Sequence, residues 1–407
     1  MSTDIEGPTR RTPPEWPATL DVARLAAGEW RPTPFRQFIL KVHSRCDLAC
    51  DYCYVYTLAD QSWRSRPRRM PRPLLRAAAR RIAEHAHAHG LDGVRVILHG
   101  GEPLLAGRDY LAELVATMRE ALNGVDVRFS VQTNAMRLDE DFLRLFAELG
   151  VRVGVSVDGG PEANDRHRRT ADGRGSHARV AAALRLLAGF RQVYGGLLCT
   201  VDLANDPVET YEDLLAFEPP RIDFLLPHGT WAAPPPGRTA DPRHTPYADW
   251  LIAVFDRWYG EGRGATGVRL FEEIIHLLLG GRSGVEALGL TPSSLVVIET
   301  DGTIEQSDFL KVVGHGAPAT GLNIVDHPFD AALSHPGVVA RQLGWAALAD
   351  ECRACRFARV CGAGLYAHRY RPGSGHRNPS VYCPDLYRLI EHVQTRIRRD
   401  LSGGNPR

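Results

Sequence analysis

The chain has 407 residues and a net charge of +1, with 44% hydrophobic and 24% charged residues, a composition typical of globular proteins with two or three domains. This balanced charge gives no indication of nucleic acid or an acidic membrane as a partner, and no apolar run is long enough to cross a bilayer. The N-terminus lacks a signal peptide, so we expect a cytoplasmic protein whose thiols stay reduced.

Apolar strands alternate with amphipathic helices from residue 35 to residue 235. Residues 1–34 are rich in proline and are predicted to be a poorly ordered lead-in. The alternation indicates parallel strands joined by helical crossovers, and six units are too few for a full eight-stranded barrel. The predicted fold is therefore α/β, with a partial (β/α)6 TIM-like barrel. Its strands are FRQFILKVHS, 94–100, 127–134, 151–159, 194–201 and 222–229.

A proline-rich break at residues 231–246 ends the barrel pattern. A helical bridge is predicted over 236–298, a cysteine-rich domain over 299–395 and a tail over 396–407. Within SLVVIETDGTIEQ, two short strands are predicted to turn at Asp301-Gly302, because Asp-Gly favours the tight turn of a hairpin.

Three cysteines, Cys46, Cys50 and Cys53, directly follow the first predicted strand. In α/β barrels the loops after the strands form the active site. Three thiolates can bind three irons of a [4Fe–4S] cluster and leave the fourth open to a small-molecule ligand. A structural zinc site completed by a distant fourth ligand is the alternative.

The motif CDLACDYCY resembles the CxxxCxxC signature of radical S-adenosylmethionine (SAM) enzymes. HGGEP resembles the family's glycine-rich segment that holds the methionyl amino group of SAM, and NDRHRR resembles the segment whose arginine binds the SAM carboxylate. QTN and SVDG end the third and fourth strands, where the family has further contacts. The resemblance implies a SAM-binding [4Fe–4S] cluster on the three cysteines. The implied SAM contacts are His99, Gly100, Gly101, Glu102, Pro103, Gln132, Asn134, Ser156, Asp158 and Arg168.

The C-terminal motif CRACRFARVC, with a later lone cysteine, resembles the SPASM domain, which carries auxiliary [4Fe–4S] clusters in radical SAM enzymes that act on peptides. Ligands of the inner cluster are missing, since Ser307 and Leu365 stand where cysteines are expected. Spacing alone leaves a four-cysteine zinc site open. The ligands of the outer cluster are matched by Cys352, Cys355, Cys361 and Cys383.

Longer stretches, including PFRQFILKVHSRCDLACDYCYVY and ETDGTIEQSDFLK, resemble FxsB-type radical SAM/SPASM maturases over roughly residues 35–395. This resemblance implies a precursor peptide with leader and core as substrate, and a three-residue cyclophane as product. An external electron donor such as flavodoxin or ferredoxin is also implied. In sulfatase-maturing relatives an aspartate at the position of Asp308 acts as a base, so Asp308 is the predicted catalytic residue.

Other readings remain open at this point. A radical SAM peptide maturase could instead form a thioether, an epimer or a formylglycine-like aldehyde, and a zinc-stabilised binding module without catalysis is the alternative from another class. Two features are predicted to be purely structural. Cys199 is expected in the core, and the EHAHAH tract at 84–89 is expected to be the solvated surface of a helix.

Overall fold

The computed structural model describes residues 15–261 and 266–402. Part of the predicted N-terminal lead-in, residues 1–14, and the end of the predicted tail, residues 403–407, lie outside the described residues. Within the described part of the lead-in, α1 (Val22–Ala27) forms a short helix. The last helix continues to Ser402 and so crosses the predicted boundary at residue 396.

Ten strands of the described chain form one sheet, in the order β10-β9-β8-β1-β2-β3-β4-β5-β6-β7. Neighbours from β1 to β6 are parallel, which confirms the predicted succession of six strands. The strands are β1 (Gln37–His43), β2 (Gly93–Gly100), β3 (Asp126–Thr133), β4 (Val151–Ser156), β5 (Tyr194–Thr200), β6 (Arg221–Leu225), β7 (Gly267–Val268), β8 (Leu295–Ile298), β9 (Thr303–Glu305) and β10 (Ala319–Asn323).

Helices connect the parallel strands and continue into the C-terminal region. Their apolar faces pack on the sheet, as in α4, whose buried positions Phe142, Leu143 and Phe146 share one face. Before β8 these helices are α2 (Arg72–Ala88), α3 (Arg108–Ala121), α4 (Glu140–Leu149), α5 (Pro161–His167), α6 (His177–Ala188), α7 (Pro207–Leu215), α8 (Pro246–Glu261) and α9 (Arg269–Leu278). The later ones are α10 (Phe329–Leu333), α11 (Pro336–Ala340), α12 (Asp350–Ala354), α13 (Ala358–Cys361) and α14 (Cys383–Ser402).

The predicted hairpin is present and extends the barrel sheet. Strands β8 and β9 pair antiparallel, and Gly302 in the turn has a φ of +83°, a conformation that glycine adopts without strain. On its other side β8 pairs parallel with β1, with Gln37 opposite Leu295. The predicted domain boundary at residue 299 therefore falls inside a hairpin that belongs to the same sheet as the barrel strands.

Two structural predictions have different outcomes. Cys199 is fully buried on β5, which confirms its place in the core. The prediction of a solvated EHAHAH tract is wrong for His85, which is 2% exposed. Its Nε2 accepts a hydrogen bond from the Phe35 backbone N–H (2.9 Å) and its Nδ1 donates to Asp330 (2.7 Å). No helix of the described chain is long and apolar enough to cross a membrane.

Candidate active site

The three N-terminal cysteines lie together in the loop that leaves the carboxyl end of β1. All three are half-buried. The Cys46 sulfur accepts a hydrogen bond from the Leu48 backbone N–H at 3.4 Å, and the Asn134 amide nitrogen lies 3.5 Å from it. The same amide donates to Asp47 (2.9 Å). The end of β3 therefore supports the cysteine loop directly.

Burial keeps the three thiols of this loop protonated at neutral pH. Burial raises the pKa of the Cys50 thiol to about 11, and it raises the pKa of Cys53 as well.

The HGGEP segment packs tightly against the start of the cysteine loop. A β-carbon on Gly100 would lie 2.1 Å from the His43 carbonyl oxygen, and one on Gly101 would lie 1.8 Å from the Tyr56 hydroxyl. Sequence reasoning assigned these glycines to close approach of a ligand. The structure shows that they already permit close approach of the chain that carries the cysteines.

Glu102 and the proline after it anchor the same segment. The Glu102 carboxylate accepts hydrogen bonds from the Leu104 N–H (2.9 Å), the Thr133 hydroxyl (2.7 Å) and the Asn134 N–H (2.8 Å). Burial raises the pKa of this carboxyl to about 7. Pro103 is buried and begins a short 3-10 helix. Glu102 thus fixes the geometry where β2 and β3 end.

The polar residues that end β3 and β4 contact each other. The Gln132 amide donates to the Ser156 hydroxyl at 2.9 Å. These two predicted SAM contacts therefore form one pair on neighbouring strands. The other predicted member of this set, Asn134, contacts the cysteine loop as described above.

Tyr52, which lies between the second and third cysteines, joins two predicted SAM contacts. Its hydroxyl donates to Asp158, and it accepts a hydrogen bond from Arg168 at 2.8 Å. All three side chains are largely enclosed, and the Arg168 Nε is buried without a hydrogen-bond partner in the described chain. Such a free donor on a buried guanidinium fits recognition of an anionic group, such as a carboxylate, beside Cys50.

Asp308 lies in a buried network of charges on the hairpin side of the cysteine loop. Its carboxylate contacts the Lys41 ammonium (2.5 Å) and the Lys311 ammonium (2.9 Å), and all three residues are at most 3% exposed. Although burial opposes the charged form, these two lysines hold the pKa of Asp308 well below its usual range. The carboxyl is therefore ionised at neutral pH.

The network continues through the hairpin. Lys311 also contacts Glu299 (2.6 Å) and Glu305 (3.0 Å), and Arg66 contacts the same two carboxylates at 2.5 Å each. Sequence reasoning found only Asp308. A lysine at position 41 inside an apolar strand was the available signal, because a buried ammonium requires a partner.

His99 and an aromatic group border this network. The Nδ1 of His99 lies 3.1 Å from the Lys41 ammonium, and burial together with that charge lowers the pKa of His99 to about 4. The predicted SAM contact His99 is thus neutral and part of the Asp308 surroundings. Tyr54 packs against His228 with ring centroids 4.9 Å apart, and Phe309 lies 5.2 Å from the same imidazole.

The four C-terminal cysteines come from three helical segments. Cys352 lies in α12, Cys355 directly follows it, Cys361 ends α13 and Cys383 begins α14. Burial raises the pKa of Cys352 to about 11, and the neighbouring Cys383 contributes to this shift. The structure therefore brings together the set that the sequence predicts.

The positions where inner-cluster cysteines were expected are filled by other contacts. Ser307 and Leu365 are buried, and neither is a cysteine. Beside them, Arg341 makes two bonds to Glu286 (2.9 and 2.5 Å) and donates to the Gln306 carbonyl (2.8 Å). An ion pair therefore links the hairpin to the segment before it.

Comparison with known proteins agrees with this arrangement. The Cysteine-type anaerobic sulfatase-maturating enzyme of Clostridium novyi is 23% identical over 369 residues, which are 86% of this chain and 92% of that protein. The Serine-type anaerobic sulfatase-maturating enzyme of Klebsiella aerogenes is 26% identical over 388 residues, or 93% of this chain and 91% of that protein.

Solved structures share the fold. Native anSMEcpe with bound AdoMet and the Kp18Cys peptide superimposes with a TM-score of 0.76 at 21% identity, covering 90% of this chain and 99% of that one. Streptococcus suis SuiB bound to the precursor peptide SuiA gives 0.55 at 14% identity, covering 89% and 78%. Residues 40–217 match the family model of the Radical SAM superfamily. The chain therefore contains a Radical SAM superfamily domain, which includes the three-cysteine loop and every predicted SAM contact.

Proposed function

We propose that this protein is a radical SAM maturase of a ribosomally made precursor peptide. The observation that carries the proposal is the three-cysteine loop at the carboxyl end of β1, with the buried, partly unpaired Arg168 beside it. Relatives that match nearly the whole chain are sulfatase-maturating enzymes. Both solved structures described above contain a bound peptide, which supports a peptide as substrate.

The donor sets fit two iron–sulfur clusters. Cys46, Cys50 and Cys53 would hold a [4Fe–4S] cluster whose remaining iron takes SAM, and the four C-terminal cysteines would hold an auxiliary [4Fe–4S] cluster. When bound, the first cluster and SAM supply a 5′-deoxyadenosyl radical that removes hydrogen from an unactivated C–H bond. The chain's own part is to bind, orient and shield the substrate.

We propose a cyclophane as the product, formed when a peptide Cβ is joined to an aromatic ring carbon. The reaction removes two hydrogens from the peptide. One leaves as the hydrogen atom taken by the radical, and the other leaves the ring as a proton and an electron, so the step needs a proton acceptor at the ring and an electron acceptor, a role that the auxiliary cluster would fill. Asp308 is proposed for this role, because Lys41 and Lys311 keep its carboxylate ionised and thus able to accept a proton. Because this carboxylate is a weak base, it can accept a proton only from a strongly acidic donor. The ring becomes such a donor once it has lost an electron.

Roles are also proposed for the residues that are predicted to contact SAM. Arg168 is proposed to bind the carboxylate of SAM through its free Nε, with Tyr52 and Asp158 holding the guanidinium in place. Gln132 and Ser156, already bonded to each other, present polar groups from the ends of β3 and β4. All eight cysteines, which lie in the described chain, are free, which supports a cytoplasmic location.

A formylglycine-type oxidation is the second candidate, because the matched curated relatives are sulfatase-maturating enzymes. Anaerobic reconstitution, SAM cleavage and co-expression with a candidate precursor peptide test both candidates. A cyclophane, a thioether and an aldehyde made from serine each lose two hydrogens, whereas an epimer loses none. An aldehyde made from cysteine also exchanges sulfur for oxygen. Fragmentation separates the first three, since only a cyclophane joins two residues without consuming a cysteine. Zinc in place of iron, together with no SAM cleavage, would rule out the proposal that this protein is a radical SAM enzyme.

The role of Asp308 has a separate test. Asp308→Asn is expected to cleave SAM at an unchanged rate but to release little crosslinked peptide. Asp301→Asn, in the turn of the same hairpin and half-exposed, is the matched control. Full crosslinking by Asp308→Asn would rule out Asp308 as the proton acceptor.

A further inference from the structure

The segment that follows the cysteine loop carries an unbalanced positive charge. Residues 61–83 contain eight arginines and no aspartate or glutamate, in a chain whose net charge is only +1. This concentration cannot reflect the composition of the whole chain. The arginines are Arg64, Arg66, Arg68, Arg69, Arg72, Arg76, Arg80 and Arg81.

Some of these charges are neutralised by acids elsewhere in the chain. Arg66 contacts the hairpin carboxylates, Arg72 contacts Glu113 and Arg81 contacts Glu84. The others are exposed and make no ion pair with a described residue. Four of them are named here the arginine patch, namely Arg64, Arg68, Arg69 and Arg76.

The backbone of this segment runs beside the chain that enters the cysteine loop. The Ser44 N–H donates to the Arg68 carbonyl (2.8 Å), and the Ser44 hydroxyl donates to the Pro67 carbonyl (2.7 Å). The Arg45 guanidinium donates to the Trp63 carbonyl (2.9 Å). The arginine patch is therefore attached directly to the residues that precede Cys46.

Two aromatic rings connect the arginine patch to the loop. The guanidiniums of Arg45 and Arg64 both lie over the Trp63 ring, at 5.0 and 5.2 Å from its centroid. Its other neighbour is Tyr56, with centroids 4.9 Å apart. The backbone N–H of Tyr56 donates to the Cys53 carbonyl at 3.3 Å. A continuous series of contacts therefore leads from the exposed Arg64 through Trp63 and Tyr56 to the cysteine loop.

We propose that the arginine patch is the docking surface for an acidic one-electron carrier protein. The inference rests on the proposed function, in which each SAM cleavage consumes one electron that the reduced carrier gives up and the three-cysteine site receives. Electron transfer slows steeply with distance, so a donor should dock beside that loop. Opposite charge on the carrier would steer and orient it there.

Charge reversal tests the proposal in the reconstituted full-length protein. The variant is Arg64→Glu with Arg68→Glu, and the matched control is Arg179→Glu with Arg185→Glu on α6, both exposed. The rate of 5′-deoxyadenosine formation is measured with reduced flavodoxin and, separately, with dithionite. With flavodoxin, we expect the rate of 5′-deoxyadenosine formation to fall roughly tenfold or more in the patch variant. The rate of the control variant should be unchanged. Dithionite should support equal rates in all three proteins.

Direct titration with flavodoxin at increasing salt gives a second readout that needs no SAM cleavage. Binding should weaken with salt in the unsubstituted protein and be weak at every salt concentration in the patch variant. Undiminished binding and rate in the patch variant would overturn the proposal, as would equal losses with both reductants. A raised KM for the peptide with dithionite would assign the arginine patch to the peptide instead. Failure of SAM cleavage in every protein, with binding as expected, would reject only the proposed function.

Discussion

The two cysteine groups differ in what surrounds their thiols. The N-terminal group has three thiols. Its neighbours are an amide and a carboxylate that follow β3 and β4, and a partly unpaired guanidinium at the end of α5. The C-terminal group has four thiols, and the nearby Arg369 is already bonded to the Gly362 and Gly364 carbonyls. A cluster site that also binds a small molecule needs free hydrogen-bond donors around it. A cluster site whose irons are all bound by thiolates needs only a rigid surrounding backbone.

The largest expected effect comes from removing one thiol from each group. Cys46→Ala should abolish 5′-deoxyadenosine formation, because the site of SAM binding is lost. Cys361→Ala should still cleave SAM but yield no crosslinked peptide. Each variant should keep about half of the iron of the unsubstituted protein. Product analysis and iron determination under anaerobic conditions measure these outcomes.

Circular dichroism controls for misfolding in both cysteine variants. The comparison of the two groups would break down if a folded Cys361→Ala failed to cleave SAM. It would also break down if Cys46→Ala still did so.

The buried ion networks beside the two groups should differ in their effect on stability. Lys311→Met removes the cation that three buried carboxylates share, so it should lower the free energy of unfolding by about 3–5 kcal/mol. Arg341→Met leaves one carboxylate without its cation, that of Glu286, which is 20% exposed and can reach water. Arg341→Met should therefore lower the free energy of unfolding by less than Lys311→Met does.

Urea unfolding of the two methionine variants at pH 7 measures this difference. Equal losses of unfolding free energy would mean that the number of carboxylates without a cation does not determine the destabilisation. A stable Lys311→Met protein would show that the Asp308 network is dispensable for folding.

Recognition of SAM at the three-cysteine site should depend on the guanidinium of Arg168. Arg168→Lys keeps the charge but loses the planar donor set, so the KM for SAM should rise roughly 10–100-fold. Arg166→Lys is the matched control, because Arg166 is half-exposed and contacts Asp202 on the outside. Initial rates of SAM cleavage with dithionite give both values. Similar KM values for the two variants would remove Arg168 from SAM binding.

The smallest effect concerns the contact that joins α2 of the barrel to α10 of the C-terminal region. Burial lowers the pKa of His85 despite the facing Asp330, and protonation of Nε2 would break its bond to Phe35. A lowered pKa means that stability is present above the ordinary value near 6.5 and is lost as pH falls below it. The free energy of unfolding should fall by at most about 1.4 kcal/mol per pH unit from this group.

His85→Gln should flatten this dependence on pH, whereas His87→Gln, exposed on the same helix, should not. Chemical unfolding between pH 5 and 8 measures both slopes. Equal slopes for the two variants would show that His85 does not titrate differently on folding.

The alternating pattern of the barrel was predictable because each strand and helix is defined by nearby residues. The strand β2, predicted over 94–100, begins at Gly93, and the helix EDFLRLFAEL is α4 with the same bounds. His85 was misjudged because its two partners, Phe35 and Asp330, come from segments far away in the chain. Helical periodicity alone gave no reason to expect either contact.

The sequence by itself determined the cysteine sets, since the first three cysteines lie within eight residues of one another and the other four match the pattern of the SPASM domain. It also determined the succession of strands and helices along the barrel, through the periods of two and 3.6 residues. Only the tertiary structure decided that β8 pairs with β1 and so brings Lys311 and Asp308 to Lys41. Buried charges must find their partners across the fold, and such pairings leave no local pattern in the chain.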